Sequence, residues 1–506
     1  MKDTADFTMP VLFDEGLAPF QGFGPQAYAM ELDPGLRDYW VTGHFEPLAA
    51  ILASEHQFGS MIWAWVDDAF LVPGKGIEYG RRGWAQAHHV DRVYKMPGRG
   101  IIGDPMWGVI DSWRRPRPEW WLTKKLFSPI HIEEQPLAPP KPGSPITIPV
   151  ENRNTFTNLT RYTVKWAIAG ESGKTRADVG PRGSGTIRIA PKHRSVGKDT
   201  LVLEFYDEQR RLVDAYKLTF KPHDMPKMRF SGRPAKITEP PGNLNMAKLI
   251  CLTGRSAELA FDRTSGVIIR GTAGGELVLM GGPSLHVLRN DAPYEINPAG
   301  WHFTGAQTRV ENGRAVLDWN GDYANGYSGV FEIGIDDAGN AEIAYRFTYT
   351  GPEIISREVG INLDLPLVFD HLEWDRKAEY SYYPEDHIGR PHGAASAHPN
   401  VAQTVPPGDR PYSLDDHPWG CNDFRSTKRN IYSASVTNTS GAGLRIVSNG
   451  AQNVRATVGV DSISLKVLDY YGGSATGWNE WDGAYGNGRA IKTGDVIEGK
   501  VSIRLL

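Results

Sequence analysis

The chain is poor in cysteine. Cys251 and Cys421 are the only two in 506 residues, too few for a disulfide scaffold or a thiolate metal centre. No run of 18 or more apolar residues occurs, so no segment reads as a bilayer-spanning helix. There is no basic excess either: 55 Lys and Arg against 59 Asp and Glu leave a net charge of −4. That excludes the positive field that draws nucleic acid or an anionic membrane. The polar opening Met1-Lys2-Asp3-Thr4-Ala5-Asp6 is not followed by the apolar core of a signal peptide. The compartment stays open, because a leader would sit on any missing N-terminal part. Internal repeats and low-complexity tracts are also lacking.

What is present is an ordinary globular mixture, 23% charged and 40% hydrophobic, long enough for about three domains. The 56 Gly, 36 Pro and 15 Trp imply many short strands joined by turns, with exposed aromatic surface of the kind carbohydrate-handling enzymes carry.

Residues 1–130 alternate between strand and helix. Pro10-Val11-Leu12-Phe13 is a short apolar run of the buried parallel type, ending at Asp14-Glu15. Asp33-Pro34-Gly35 can cap a helix with Pro34 in its first turn. Leu36, Trp40, Phe45, Leu48, Ile51 and Leu52 then recur at helical spacing. Gly59-Ser60 reads as a break before a second strand over 61–66, which ends at Asp67-Asp68. Strand, helix and strand with acids at the strand ends form a βαβ unit, and a (β/α)8 barrel carries its active site at such ends. Two units cannot close a barrel, so the expectation is the last quarter of one.

A proline-rich stretch over 136–145 reads as a stiff linker. Alternating runs at 146–150, 162–166, 185–189 and 201–205 predict a small antiparallel sandwich. Beyond Glu239-Pro240-Pro241-Gly242, hairpin signals recur at 262–266, 311–313, 337–339 and 448–450, with no confident helix after 245. The predicted fold is therefore mostly β and multidomain. The C-terminal part of a (β/α)8 barrel (1–130) is followed by an immunoglobulin-like β-sandwich (131–226) and a large β-supersandwich (227–506).

Candidate site residues follow from position. Glu15 at a strand end suits a glycosidase nucleophile or a turn cap. Trp63 suits sugar stacking or core filling, and Asp67 suits a hydroxyl contact or a turn. The Arg- and Trp-dense stretch 111–121 reads as a fixed turn held by Arg–carboxylate pairs. His88-His89 lacks ligand spacing, so no metal site is expected. Trp478 and Trp481 lie in an aromatic, Gly-rich loop, and 380–387 forms a second polar-aromatic cluster.

Taken together, these segments resemble glycoside hydrolase family 2, specifically the C-terminal half of a β-galactosidase-type member. Pro10-Val11-Leu12-Phe13-Asp14-Glu15 resembles the strand bearing that family's nucleophile. Ile62-Trp63-Ala64-Trp65-Val66-Asp67-Asp68 is similar to its final barrel strand, and the stretch from Asp111 to Trp121 to its link into the sandwich. Residues 150–159 resemble the opening of its immunoglobulin-like domain, and 259–268 the start of its supersandwich. The resemblance implies retaining hydrolysis of a β-linked sugar, with Glu15 as nucleophile, Trp63 and Asp67 at the sugar, and Trp478 or Trp481 reaching toward it. A second carboxyl about 5–5.5 Å from the first would act as acid/base. The family's Asn-Glu pair on an earlier strand has no counterpart, and the family's metal ligands would likewise fall outside this chain, so no cofactor is expected in it. The resemblance thus implies a partner chain or missing N-terminal region carrying the acid/base, or else a homo-oligomer. The alternative is a non-catalytic carbohydrate-binding or scaffold protein of the same descent.

Overall fold

The computed structural model describes residues 11–13, 33–39, 41–42, 45–54, 57–62, 65–66, 68–73, 99–104, 108–111, 114–141, 144–192, 199–239, 248–289, 298–400, 410–415, 417–472 and 488–506. Strand dominates, with four α-helices among the described residues, none longer than nine residues. The chain forms two compact units. One comprises 1–117, 225–377 and 391–506, and the other comprises 118–224 with 378–390.

In the first unit, Val11–Phe13 pairs in parallel with Gln57–Ser60, and helices Gly35–Tyr39 and Phe45–Ala53 lie between them in sequence. Asp33 caps the first helix: its Oδ1 accepts from the Gly35 amide at 2.9 Å. The apolar spacing turns Leu36, Leu48 and Ile51 inward. The second strand, however, sits at 57–60 rather than 61–66. Val11 faces Gln57 while Leu12 faces Gly59, so Phe58 forms a bulge and the glycine that reads as a break lies inside the pair. Met61 and Trp65 point to solvent, Trp65 at 57% exposure, which ends the reading of 61–66 as a buried strand. Among the described residues this is the one parallel pair of strands, Val66 and Ile110 add an isolated parallel bridge, and no closed barrel is present. Next in sequence, Asp68–Pro73 pairs antiparallel with Arg99–Asp104.

The second unit is a two-sheet sandwich. Ile130–His131, Ile146–Asn152 and Ser184–Ile189 make one sheet; Leu212–Leu218, Leu201–Tyr206, Thr163–Ile168 and Glu171–Thr175 make the other. Ile146, Ile148, Val150, Ile187, Leu201, Leu203 and Phe205 alternate into the shared core, as the period-2 runs require. The proline stretch is anchored rather than free, because buried Leu137 donates its amide to Thr219 O at 2.8 Å. The 380–387 cluster is structural: Trp121 Nε1 donates to Tyr382 O at 3.2 Å, and His387 Nε2 bonds Pro118 O at 3.0 Å.

The rest of the first unit is a five-stranded sheet over 236–279 and a thirteen-stranded one beginning at Gly281–Arg289. Three of the four predicted hairpins are present, at 262–267, 311–314 and 335–340. Ser448-Asn449-Gly450 instead lies inside Gly443–Val458. This strand pairs with Val496–Leu505 before that point and with Ser462–Tyr471 after it. The Asn-Gly signal marks a bulge where one strand changes partner. The core gathers Phe261, Trp319, Tyr323, Phe331 and Phe347. Trp319 packs against Phe261 and Phe331 at centroid distances of 5.3 and 5.5 Å. Among the described residues Trp121, Trp319 and Trp374 are buried and serve packing, while Trp65 is exposed.

Candidate functional site

Glu15, Trp63, Asp67, Trp478 and Trp481 all lie outside the described residues, as does His88-His89. Described residues flanking two of these segments meet in one place. Asp33 follows the segment containing Glu15, and Tyr471 precedes the segment containing Trp478 and Trp481. Tyr471 OH donates to Asp33 Oδ2 at 2.7 Å across 438 positions of sequence.

Four strands build the floor of this site: Gly281–Arg289, Ile354–Pro366, Ser462–Tyr471 and Gly443–Val458, adjacent in that order. One face sends Val359, Ile361, Leu363, Leu465, Val467 and Val454 into the apolar core. Alternation puts His286, Glu358, Asn362, Lys466 and Arg455 on the other. Asn362 faces Lys466, and Lys466 faces Arg455, across the ladder. That second face is covered as well. Asp33, Leu36, Arg37 and Asp38 are all buried, and Gly35 carries no Cβ, which would meet Thr427 N at 2.6 Å. Glycine is therefore what lets this helix press on the Thr427 backbone.

Asp33 is the hub. Its Oδ1 accepts from Thr427 N (2.8 Å), and its Oδ2 from Thr427 Oγ1 (2.7 Å) and Tyr471 OH; Arg455 stands 3.3 Å from Oδ2. Arg455 also donates to Glu358 Oε2 at 2.5 Å, and His286 Nε2 lies 2.7 Å from the same oxygen. Asp38 pairs with Arg376 at 2.8 Å. Burial alone would raise the Glu358 carboxyl, but the Arg455 charge and the His286 hydrogen bond outweigh it and hold it at about 2. Burial pushes the His286 imidazole down, so the neutral ring donates from Nε2 to a carboxylate that can only accept. Lys466 bonds two hydroxyls, Thr457 Oγ1 (3.1 Å) and Ser464 Oγ (2.9 Å). Burial, reinforced by Arg455, brings its ammonium down to about 7 against the pull of Glu358, Asp364 and Asp33. Glu358 Oε1 and Arg455 Nε are buried without hydrogen-bond partners. The cluster can thus hold charge, exchange protons near neutrality and fix the N-terminal segment on the sheet.

The turn over 111–115 behaves as its composition implies. Arg115 Nε donates to Asp111 Oδ2 at 2.5 Å, and its NH1 to Asp415 Oδ1 at 2.6 Å. Two surface clefts add less. One of about 430 Å³ is lined by Glu332, Tyr345, Arg346, Glu498 and Lys500, and one of about 420 Å³ by Phe156, Asn158, Arg161, Asp207 and Arg211. Arg346 pairs with Glu498, Arg161 with Glu208 and Arg211 with Asp207, so much of the charge around both clefts is already committed to neighbours. Among the described residues, no group of three or more His, Cys, Asp or Glu could hold a metal ion.

The buried cluster was not legible from sequence. Glu358, Asn362 and Asp364 alternate with apolar residues, which is the ordinary signature of a solvent-facing strand side. Cover that includes residues 33–38, over three hundred positions away, buries Glu358, while Asn362 and Asp364 stay half-buried.

No protein-family model matches the sequence, and no curated protein is significantly similar to it. Solved structures similar to the chain include a galactose 1-epimerase from Lactobacillus acidophilus NCFM, at 10% identity and a TM-score of 0.27, covering 54% of this chain and 98% of that one. An α-N-acetylgalactosaminidase from Bifidobacterium bifidum matches at 10% identity and a TM-score of 0.27, over 51% and 35% of the two chains. A TPR-domain containing protein from Parabacteroides distasonis matches at 8% identity and a TM-score of 0.29, over 74% and 55%. At such scores these likenesses carry no argument about fold or chemistry.

Proposed function

We propose that the chain is a carbohydrate-active protein of the retaining β-glycoside hydrolase type, resembling glycoside hydrolase family 2. In this reading Glu15 is the nucleophile and a partner chain or further N-terminal region supplies the acid/base. The observation that carries it is the Tyr471–Asp33 hydrogen bond, which joins the flanks of the two segments that the family resemblance assigns to the sugar site. The order of elements adds support: a parallel strand–helix–strand unit, then a seven-stranded sandwich, then large antiparallel sheets.

Glu15 would attack the anomeric carbon to form a glycosyl-enzyme, and the second carboxyl would protonate the leaving oxygen and then activate water. Trp63 would stack on the sugar, Asp67 would hold a hydroxyl, and Trp478 or Trp481 would border the leaving group. A dinitrophenyl 2-deoxy-2-fluoro-β-glycoside departs without acid assistance, so it tests the nucleophile in the chain as it stands. The expected result, over a panel of such glycosides, is a covalent sugar on the peptide containing Glu15, absent in Glu15→Gln. Labelling that persists in Glu15→Gln would remove the nucleophile assignment. Calorimetric binding of β-linked sugars with no label would favour the non-catalytic alternative, which the missing Asn-Glu counterpart also suits.

A further inference from the structure

The cluster beneath Asp33 has a property that the glycosidase reading does not use. Residues 33–38 are held on the large sheet by two ionic anchors, Asp33 to Arg455 and Asp38 to Arg376. Arg455 is shared, because it also grips Glu358, whose other oxygen has no partner. Next to Arg455 on the ladder stands Lys466, whose hydrogen bonds go to hydroxyls rather than to a carboxylate. We propose that this cluster is a proton-operated clasp: the segment 33–38 lies tightly on the sheet while Lys466 and His286 are neutral, and loosens as they take up protons.

The charges facing these two groups come from every element around them. Arg455 comes from Gly443–Val458; Glu358 and Asp364, with Arg357 beside Glu358, from Ile354–Pro366; and Asp33 from the N-terminal segment. With Lys466 and His286 neutral, Arg455 can serve both Asp33 and Glu358. A proton on Lys466 places a second cation in the same interior, competing for the same carboxylates. Opening the clasp hydrates Lys466 and returns it toward an ordinary lysine at 10.5, so the open form holds a proton that the closed form lacks between pH 7 and 10.5. Closure therefore strengthens as pH rises through that window, by up to about tenfold per pH unit. His286, pushed below its ordinary 6.5, adds a further loosening as pH falls below 6.5.

Amide exchange of Gly35–Tyr39, corrected for intrinsic rate and measured on the whole chain at pH 6, 7, 8 and 9, tests this. Protection of the helix should rise by several-fold to tenfold per pH unit from 7 to 9, while Asn340–Tyr349 in the same unit stays constant. Lys466→Met should flatten the rise at high protection. Should that variant fail to fold, Lys466→Arg keeps the charge at every pH and should give low, flat protection. Asp33→Asn should lower protection at all four pH values. Parallel pH profiles in the wild type and a Lys466 variant would overturn the proposal. So would helix and core strand loosening together, since that is global unfolding and not a clasp. None of these readouts depends on hydrolysis.

Discussion

Lys125 in the sandwich unit gives the sharpest test of how that unit is held. Its ammonium is 2.8 Å from Asp214 Oδ1 and 3.0 Å from Ala215 O, and 3.7 Å from the centre of the Tyr216 ring. Both side chains of the ion pair are essentially dry, at 2% and 1% exposure. Lys125→Met removes the cation and leaves Asp214 buried. Breaking a buried pair on one side costs about 3–5 kcal/mol. Asp214 still accepts from Ala215 N (2.7 Å) and Tyr216 OH (2.9 Å), which places the cost near the lower end, about 3 kcal/mol. Asp214→Asn added to Lys125→Met removes the nearer of the two stranded carboxylates, Glu134 lying 3.7 Å from Lys125 as well, and the double variant should recover roughly 2 kcal/mol of that loss. Urea unfolding followed by far-UV circular dichroism, with all four corners of the cycle measured, supplies the numbers. A Lys125→Met loss below about 1 kcal/mol, or strictly additive single effects, would refute the account of this pair as the interior tie of the unit.

Gly35→Ala should weaken the N-terminal anchor, because its Cβ would fall 2.6 Å from Thr427 N and 2.8 Å from Asp33 Oδ1; accelerated exchange of the Thr427 amide is the measurement. Glu358→Gln should flatten the acid limb of stability. The native carboxyl sits at about 2 against an ordinary 4.5, so it contributes stability above 4.5 that is lost as pH falls toward 2, about 3 kcal/mol in all. Wild-type and variant stability curves that stay parallel between pH 5 and 2 would sink that assignment.

What could be read from the sequence divides along a physical line. The sandwich strands are legible because each has one dry and one wet face, so Ile146, Ile148 and Val150 alternate with polar neighbours. Asp33-Pro34-Gly35 is legible because a cap is local chemistry. The strand at 57–60 is not, because Gly59 reads as a stop when a bulge at Phe58 absorbs it. Asn449-Gly450 misleads for a related reason: positive φ at Gly450 serves a bulge as well as a turn. The polar face bearing Glu358 and Lys466 is invisible, since a covered polar face and a solvated one share one alternation. The proposed sugar contacts rest on the family resemblance, while Asp33 and Tyr471 come into view through tertiary pairing alone.

The partner exchange within Gly443–Val458 bears on how this sheet tolerates change in length. Residues 444–447 are registered against 502–505, and 453–458 against 463–468, with the bulge between them. A residue gained or lost within a strand normally turns every later side chain to the wrong face. Here an insertion at 448–451 falls between two registers, at the point where the pairing with Lys428–Thr437 also shifts, and can be absorbed as slack in the bulge. Lineages of this chain should accumulate their indels at that joint, and an engineered loop inserted there should leave both halves of the sheet in place.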